Sequence, residues 1–336
     1  MMQLEQRDEI INSIPDEGAL SYTSSLSKRA FDFSEEDAQR IVEGFFQGKI
    51  HPDEGDQKTA RILLGAPGSG KSYNARKDYN ALGEEERNKT IFVSYDELGA
   101  IFAIDDYVQG LKDHVPDYTD EHAPVDDTTL GIRTELWDDY RLFSQRARNM
   151  ILKRALSDGY NVMIDTTSSS MGSVKLIENV LKPLGYRIHT KGTFAPFHVG
   201  VDRLHTRVRP ASNEEAVTKR VGDPDKNSGA LNMILPMIKA SDDFEYDYNP
   251  SNEEAPRLAF AYQDGMLDYC DEAVIDQMID DLDHEVDQVI AFINQNNIDP
   301  AYKQYVSDTN DEFARFLDIN SSALQLNYNP DGPDVV

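Results

Sequence analysis

Eight consecutive residues, Gly65-Ala66-Pro67-Gly68-Ser69-Gly70-Lys71-Ser72, restrict what this chain can fold into more than any other feature. The glycines and the closing Gly-Lys-Ser at this spacing form a loop that wraps phosphate, and such a loop works only between a strand and a helix. Both are in place. The apolar run Ala60-Arg61-Ile62-Leu63-Leu64 suits a buried strand, and Tyr73 to Asn80 can continue as a helix. Glycines at 65, 68 and 70 allow backbone conformations closed to other residues and turn N–H groups inward around phosphate oxygens. Lys71 adds a point charge that reaches the β- and γ-phosphates, and the Ser72 hydroxyl is placed to ligate Mg²⁺. Gly65 through Ser72 are therefore the expected nucleotide-binding set, with Ser72 as metal ligand.

From Lys58 onward, strands and helices alternate, which predicts a parallel sheet covered on both faces. The expected strands are 60–64, 90–95 ending at Asp96, 160–164 ending at Asp165, and 187–194. The expected helices include 73–80, a long segment within 132–157 and 173–184. This makes an α/β three-layer P-loop fold, in which ligands sit at the carboxyl ends of the strands. Gly65, Asp96 and Asp165 should then converge on one crevice. Before the loop, Ala38, Ile41, Val42, Phe45 and Phe46 recur at helical spacing after a Ser34/Asp37 capping box, predicting a helix over 35–47 packed on the central domain. After Pro196 helices are expected to dominate, with 231–240 and 271–294 helical and 320–336 a loose tail. The predicted organisation is an N-terminal helical extension (1–57), a P-loop domain (58–245) and an acidic helical C-terminal region (246–336).

The net charge of −28 is unevenly spread. Residues 59–240 carry 25 acidic and 24 basic side chains, whereas 241–336 carry 23 and 3. The middle has kept the bases that a polyanionic ligand needs. The acidic flank opposes nucleic-acid binding, which depends on neutralising phosphates with Lys and Arg. It serves solubility, or docks a basic protein partner. No stretch resembles a membrane span or a signal peptide, so a cytoplasmic protein without membrane contact is expected. The lone Cys270 is read as a buried small hydrophobe. Asp223 to Gly229 fails as a calcium loop, with Ser228 where glycine is required and Ile234 at the twelfth position. The histidines form no metal pattern, which leaves nucleotide-borne Mg²⁺ as the expected metal.

Beyond the loop, Asp96 stands at a strand end only 25 residues past Lys71. An ATPase Mg²⁺-and-water pair falls further along the chain, whereas nucleotide-type kinases keep a general base near this position. Asp96 can also cap a helix beginning at Glu97. Arg203, Arg207, Arg209 and Arg220 follow the fourth strand; Arg203 and Arg207 share a helix face. They can stabilise charge on a transferring phosphoryl group from a closing flap, or pair at the surface with Asp202, Glu214 and Glu215.

In order, LLGAPGSGKS, FVSYDEL, ALSDGYNVMIDTTSS, LKPLGYRI and APFHVGVDRLHTRVR, with Arg220 thirteen residues past Arg207, resemble the zeta-toxin group of P-loop kinases over roughly residues 60–245. Polynucleotide 5′-hydroxyl kinases are a more distant likeness. The resemblance implies that Asp96 is the catalytic base, that Lys71, Arg207 and Arg220 bind phosphates with Arg203 beside them, and that Thr167 lies next to the acceptor. Zeta toxins phosphorylate a hydroxyl of UDP-N-acetylglucosamine, so a UDP-sugar is the implied acceptor class. Where that group has Glu-Gly-Thr after the third strand, this chain has Asp165-Thr166-Thr167. The acidic residue holding the acceptor is then Asp165, Glu135 or Asp138.

The expectation is an Mg²⁺-dependent kinase transferring the γ-phosphoryl group of ATP or GTP to a small-molecule hydroxyl. Two rival readings are a nucleic-acid 5′-hydroxyl kinase and a nonenzymatic nucleotide-gated interaction protein.

Overall fold

The structure is a computed structural model, which describes residues 4–14, 35–53, 55–94, 145–206, 224–295 and 300–327. Among the described residues seven strands are formed: β1 (Thr59–Leu64), β2 (Thr90–Ser94), β3 (Asn161–Asp165), β4 (Arg187–Phe194), β5 (Asp243–Tyr248), β6 (Arg257–Gln263) and β7 (Met266–Cys270). They build one sheet in the order β2-β3-β1-β4-β5-β6-β7. The first five are parallel, and β6 and β7 are antiparallel. The fold class expected from the sequence is the one observed.

The central strands are apolar because both their faces are covered. On one face Leu63, Phe92 and Met163 pack with Ala75 of helix α3 (Lys71–Ala81), the helix that follows the loop. On the other face Ile62, Leu64, Val93, Val162 and Ile164 join the main core, together with Ala147, Ile151 and Ala155 from the helix spanning 145–158. Each fully buried Ile, Leu or Val contributes about 1.5–3 kcal/mol of transfer free energy. The register aligns strand ends that matter: Ser94 of β2 lies opposite Asp165 of β3, and Ile164 opposite Ile62 of β1.

The helix expected over 35–47 packs on the central domain, and a second N-terminal helix that was not expected precedes it. Helix α1 is Leu4–Asn12 and α2 is Glu35–Phe46. Ala38, Val42 and Phe46 of α2 are buried, Phe46 meets Tyr160 edge-on at 5.4 Å, and the Arg154 guanidinium stands 4.3 Å over the Phe46 ring. Arg7 of α1 donates to the carbonyls of Leu156 and Ser157, tying that helix to the end of the 145–158 segment. After α3 come α4 (Glu84–Asn88), α5 (the helix spanning 145–158) and α6, the helix expected over 173–184, which starts as α-helix at Gly172–Leu176 and continues as a π-turn, Ile177–Leu181.

Past Pro196 helices dominate among the described residues, as expected, but three strands that the sequence reading did not expect join them. After α7 (Phe197–Thr206), α8 (Pro224–Asn232) and α9 (Ile234–Ala240), the chain enters β5, β6 and β7. β5 reads DFEYDY, a period-2 alternation in which Phe244, Tyr246 and Tyr248 point into the core. β6 and β7 form a hairpin turning at Asp264 (φ +49°) and Gly265 (φ +78°), the two positive angles of the favoured two-residue turn. The loose tail expected over 320–336 is corrected for 320–327, where the helix Ala301–Asn327, which buries Phe313 and Leu317, still runs; 328–336 lie outside the described residues. With Glu272–Gln295 that helix covers the β5-β6-β7 face, where Phe244, Tyr246 and Phe260 stack and Phe313 and Phe316 meet Tyr246 and Phe260 edge-on. Cys270 is half-buried rather than buried, and burial, with Glu272 and Asp271 adding, pushes its thiol up to about 11. No helix among the described residues is long and apolar enough to cross a membrane.

Candidate nucleotide site

The loop leaves β1 at its carboxyl end and enters α3 at Lys71. Gly68 and Gly70 hold φ of +82° and +94°, conformations that side chains disfavour. The Ser69 N–H donates to the Ala66 carbonyl at 3.2 Å and closes the first turn. Gly65 is required by space: a Cβ there would stand 2.7 Å from both the Thr193 carbonyl and Ser69 Oγ. That Ser69 hydroxyl is buried, 2% exposed, and makes no hydrogen bond among the described residues. A buried polar atom without a partner inside a loop of this shape fits an oxygen-rich ligand.

The neighbouring strand end contributes the second wall. The Gly65 N–H donates to the Thr167 carbonyl at 3.3 Å, so the segment after β3 is fastened to the loop. Two residues earlier, Asp165 is buried and accepts a 3.2 Å hydrogen bond from Ser94 Oγ. Ser168 takes a left-handed backbone conformation (φ +50°), held by its hydroxyl on the Leu63 carbonyl at 3.0 Å and on Ser173 Oγ at 2.9 Å. Strain of this kind persists where surrounding contacts over-determine it.

The loop is clamped from outside by α7 and by the end of β5. Gly200 of α7 passes so close that a Cβ on Gly68 would meet its carbonyl oxygen at 2.5 Å. One turn on, Arg203 Nη1 donates to the carbonyls of Gly68 (3.2 Å) and Ser69 (3.1 Å). Its Nη2 donates to Asn249 Oδ1 at 3.0 Å and to the Ser251 carbonyl, and its Nε donates to Asn252 Oδ1 at 2.7 Å. Asn249 Nδ2 donates to the same Ser69 carbonyl at 2.9 Å. Burial pulls the Arg203 guanidinium below its usual pKa.

Below the loop, Lys191 of β4 reaches Asp78 of α3 at 3.0 Å and Asp247 of β5 at 3.3 Å, locking the helix to the sheet. The surrounding carboxylates hold the Lys191 pKa up against its burial.

The structure thus brings together Gly65 through Ser72, Asp165, Thr167 and Arg203. Asp96, Glu135, Asp138, Arg207 and Arg220 lie outside the described residues. Asn249, Gly200 and Ser94 are site residues that sequence reasoning missed. Asn249 was within reach, since reading DFEYDY as a strand places it at a carboxyl end. Nothing in the sequence marks Gly200.

Fold and loop define a P-loop α/β protein. No family model and no curated protein sequence matches this chain. Among solved structures it is similar to a chain of the PezAT chromosomal toxin-antitoxin system of Streptococcus pneumoniae, at 14% identity and TM-score 0.42, covering 70% of this chain and 81% of that one. It is also similar to a chain of the AvrRxo1-ORF1:-ORF2 complex with ATP, at 12% identity and TM-score 0.49, covering 91% and 97%. The native complex gives 13% identity and TM-score 0.48. At such identities the functional reading rests on this chain's own residues.

Proposed function

We propose that this protein is a P-loop kinase that binds ATP or GTP with Mg²⁺ and transfers the γ-phosphoryl group to a hydroxyl, with a UDP-sugar as acceptor class. The observation that carries the reading is the loop at the head of α3, whose buried Ser69 hydroxyl has no hydrogen-bond partner among the described residues, fastened through Gly65 to the segment at the end of β3 bearing Asp165 and Thr167. A triphosphate in the loop and a hydroxyl beside Thr167 would then share one crevice. Lys71 and the loop N–H groups take the β- and γ-phosphates. Asp96, two residues past the end of β2, accepts the hydroxyl proton as the oxygen attacks the γ-phosphorus and the bond to the β-phosphate breaks. Asp165, Glu135 or Asp138 holds the acceptor.

Arg207 and Arg220 supply the remaining positive charge. The segment that carries them departs from α7, where Arg203 touches the loop, and returns in α8, where a Cβ on Gly229 would stand 2.7 Å from the Ser169 carbonyl. Its two anchors therefore flank the crevice, which supports an arginine-bearing flap.

Ser72 and Asp165 offer a hydroxyl and a carboxylate, hard oxygen donors suited to Mg²⁺. Bound there, it would neutralise charge on the β- and γ-oxygens.

Exposed carboxylates at Glu272, Asp276, Asp280, Asp283 and Asp287, spaced along one side of the 272–295 helix, disfavour nucleic acid and suit a basic protein partner.

The test is mass spectrometry of the protein with Mg²⁺, ATP or GTP and a panel of UDP-sugars, nucleosides and 5′-hydroxyl oligonucleotides. An acceptor heavier by one phosphoryl group, about 80 Da, absent with Lys71→Ala, is expected. Asp96→Asn should bind nucleotide and transfer about 10²- to 10⁴-fold more slowly. Labelling of the oligonucleotide alone would favour the 5′-end kinase, and nucleotide binding without any transfer would favour a gated binding protein.

A further inference from the structure

We infer that Asn249 and Arg203 are positioning residues which set the aim of the phosphate loop from behind, without contacting the nucleotide. The inference rests on the nucleotide-binding reading above.

The geometry is specific. The Ser69 carbonyl receives two donors, Arg203 Nη1 at 3.1 Å and Asn249 Nδ2 at 2.9 Å, which occupy both its lone pairs. A peptide unit is planar, so the carbonyl of Ser69 and the N–H of Gly70 point in opposite directions from one rigid plate. Holding that carbonyl outward holds the Gly70 N–H inward, toward the space where phosphate oxygens would lie. Arg203 Nη1 also takes the Gly68 carbonyl at 3.2 Å, fixing the preceding plate. These plates need such control because they flank Gly68 and Gly70, both at positive φ, where backbone freedom is greatest.

The brace is itself rigid. Asn249 is 5% exposed, its N–H donates to the Phe194 carbonyl at 2.8 Å, and its Oδ1 accepts from Arg203 Nη2 at 3.0 Å. Its amide nitrogen lies 2.4 Å from where a Cβ on Gly70 would stand, so the glycine there admits the brace as well as the turn. Arg203 is oriented further by Asn252 Oδ1 at 2.7 Å. Three separate chain segments, α7, the end of β5 and the loop, thus meet on one carbonyl.

Two alternatives would also make these residues matter. Asn249 could touch the nucleoside of a bound nucleotide, or it could merely stabilise the fold. Both are separated from a brace by a ligand that has phosphates and no nucleoside. The experiment is calorimetric titration of ATP and of inorganic tripolyphosphate, each with Mg²⁺, into wild type, Asn249→Ala and Arg203→Lys, alongside the unfolding temperature of each protein without ligand. Asn249→Ala removes an uncharged group, so loss of charge cannot explain its effect.

The expected result is that Asn249→Ala weakens ATP and tripolyphosphate by the same factor, about tenfold for one lost orienting hydrogen bond. Arg203→Lys, which keeps the charge and can reach one carbonyl, should weaken both by a smaller common factor. Weakened ATP with unchanged tripolyphosphate would overturn the brace in favour of nucleoside contact. Affinities unchanged in both variants would overturn it outright, as would losses that track a fall in unfolding temperature in both. Wild type that binds neither ligand would overturn the nucleotide reading first, and the brace with it.

Discussion

At the scale of single residues, the loop is defined by what stands behind it as much as by what it would hold. Gly70 is the clearest case: positive φ disfavours a side chain there, and the braced Asn249 amide leaves no room for one. Gly70→Ala should therefore weaken Mg²⁺-ATP at least about tenfold in a binding titration, since both strain and displacement of the brace act together. Gly68→Ala should differ in kind. Its added methyl meets the backbone of Gly200, which cannot swing aside, so α7 must shift. The expected outcome is a loss of about 1–3 kcal/mol in a denaturant titration, whether or not nucleotide is present. The loop, its lysine and its hydroxyl were legible in the sequence, because phosphate binding needs those residue types at that spacing. The brace was not, because Arg203 and Asn249 are 46 residues apart and meet only when β5 is recognised as a strand.

At the scale of elements, the first four strands, all parallel, were readable, and the parallel β5 and the antiparallel β6 and β7 were missed. β1 to β3 are bounded, mostly apolar runs because both their faces are covered, and β4 alternates buried with half-buried positions over its first half. β5 conceals its role by placing Asp243, Glu245 and Asp247 between its aromatics, although Asp247 is buried, with Lys191 3.3 Å from its carboxylate. The β6–β7 hairpin carried an Asp-Gly signal that helix periodicity elsewhere in the region overshadowed. The fit of β4 to β5 depends on Gly192: a Cβ there would lie 2.1 Å from the Tyr246 ring. Gly192→Ala should cost about 1–3 kcal/mol of stability by overpacking, seen as a lower urea midpoint at an unchanged slope. A midpoint equal to wild type would show that Tyr246 can move, which its full burial among stacked rings opposes.

At the scale of the molecule, the C-terminal helices are coupled to the site through α7. Glu285, from the 272–295 helix, accepts the Phe197 N–H at the start of α7, while Tyr248 donates to Asp281 one turn away. Burial, reinforced by the Asp281 charge and opposed by the Phe197 N–H, pushes the Glu285 carboxyl up to about 8. Its folded pKa lies above its unfolded value, so its contribution is fully present below pH of about 4.3 and is lost as pH rises through the folded pKa. Glu285→Gln should unfold several degrees above wild type at alkaline pH, with the gap closing toward pH of about 5 in thermal scans. Parallel curves for the two proteins would contradict the assignment. The central claim is that the Gly65 to Ser72 loop is a cradle for a triphosphate. It is tested most directly by titrating Mg²⁺-ATP and AMP into wild type and Lys71→Ala. The account predicts one saturable ATP site, far weaker binding of AMP, and a large loss of ATP affinity in the variant. Equal affinity for ATP and AMP, or ATP binding untouched by Lys71→Ala, would contradict it.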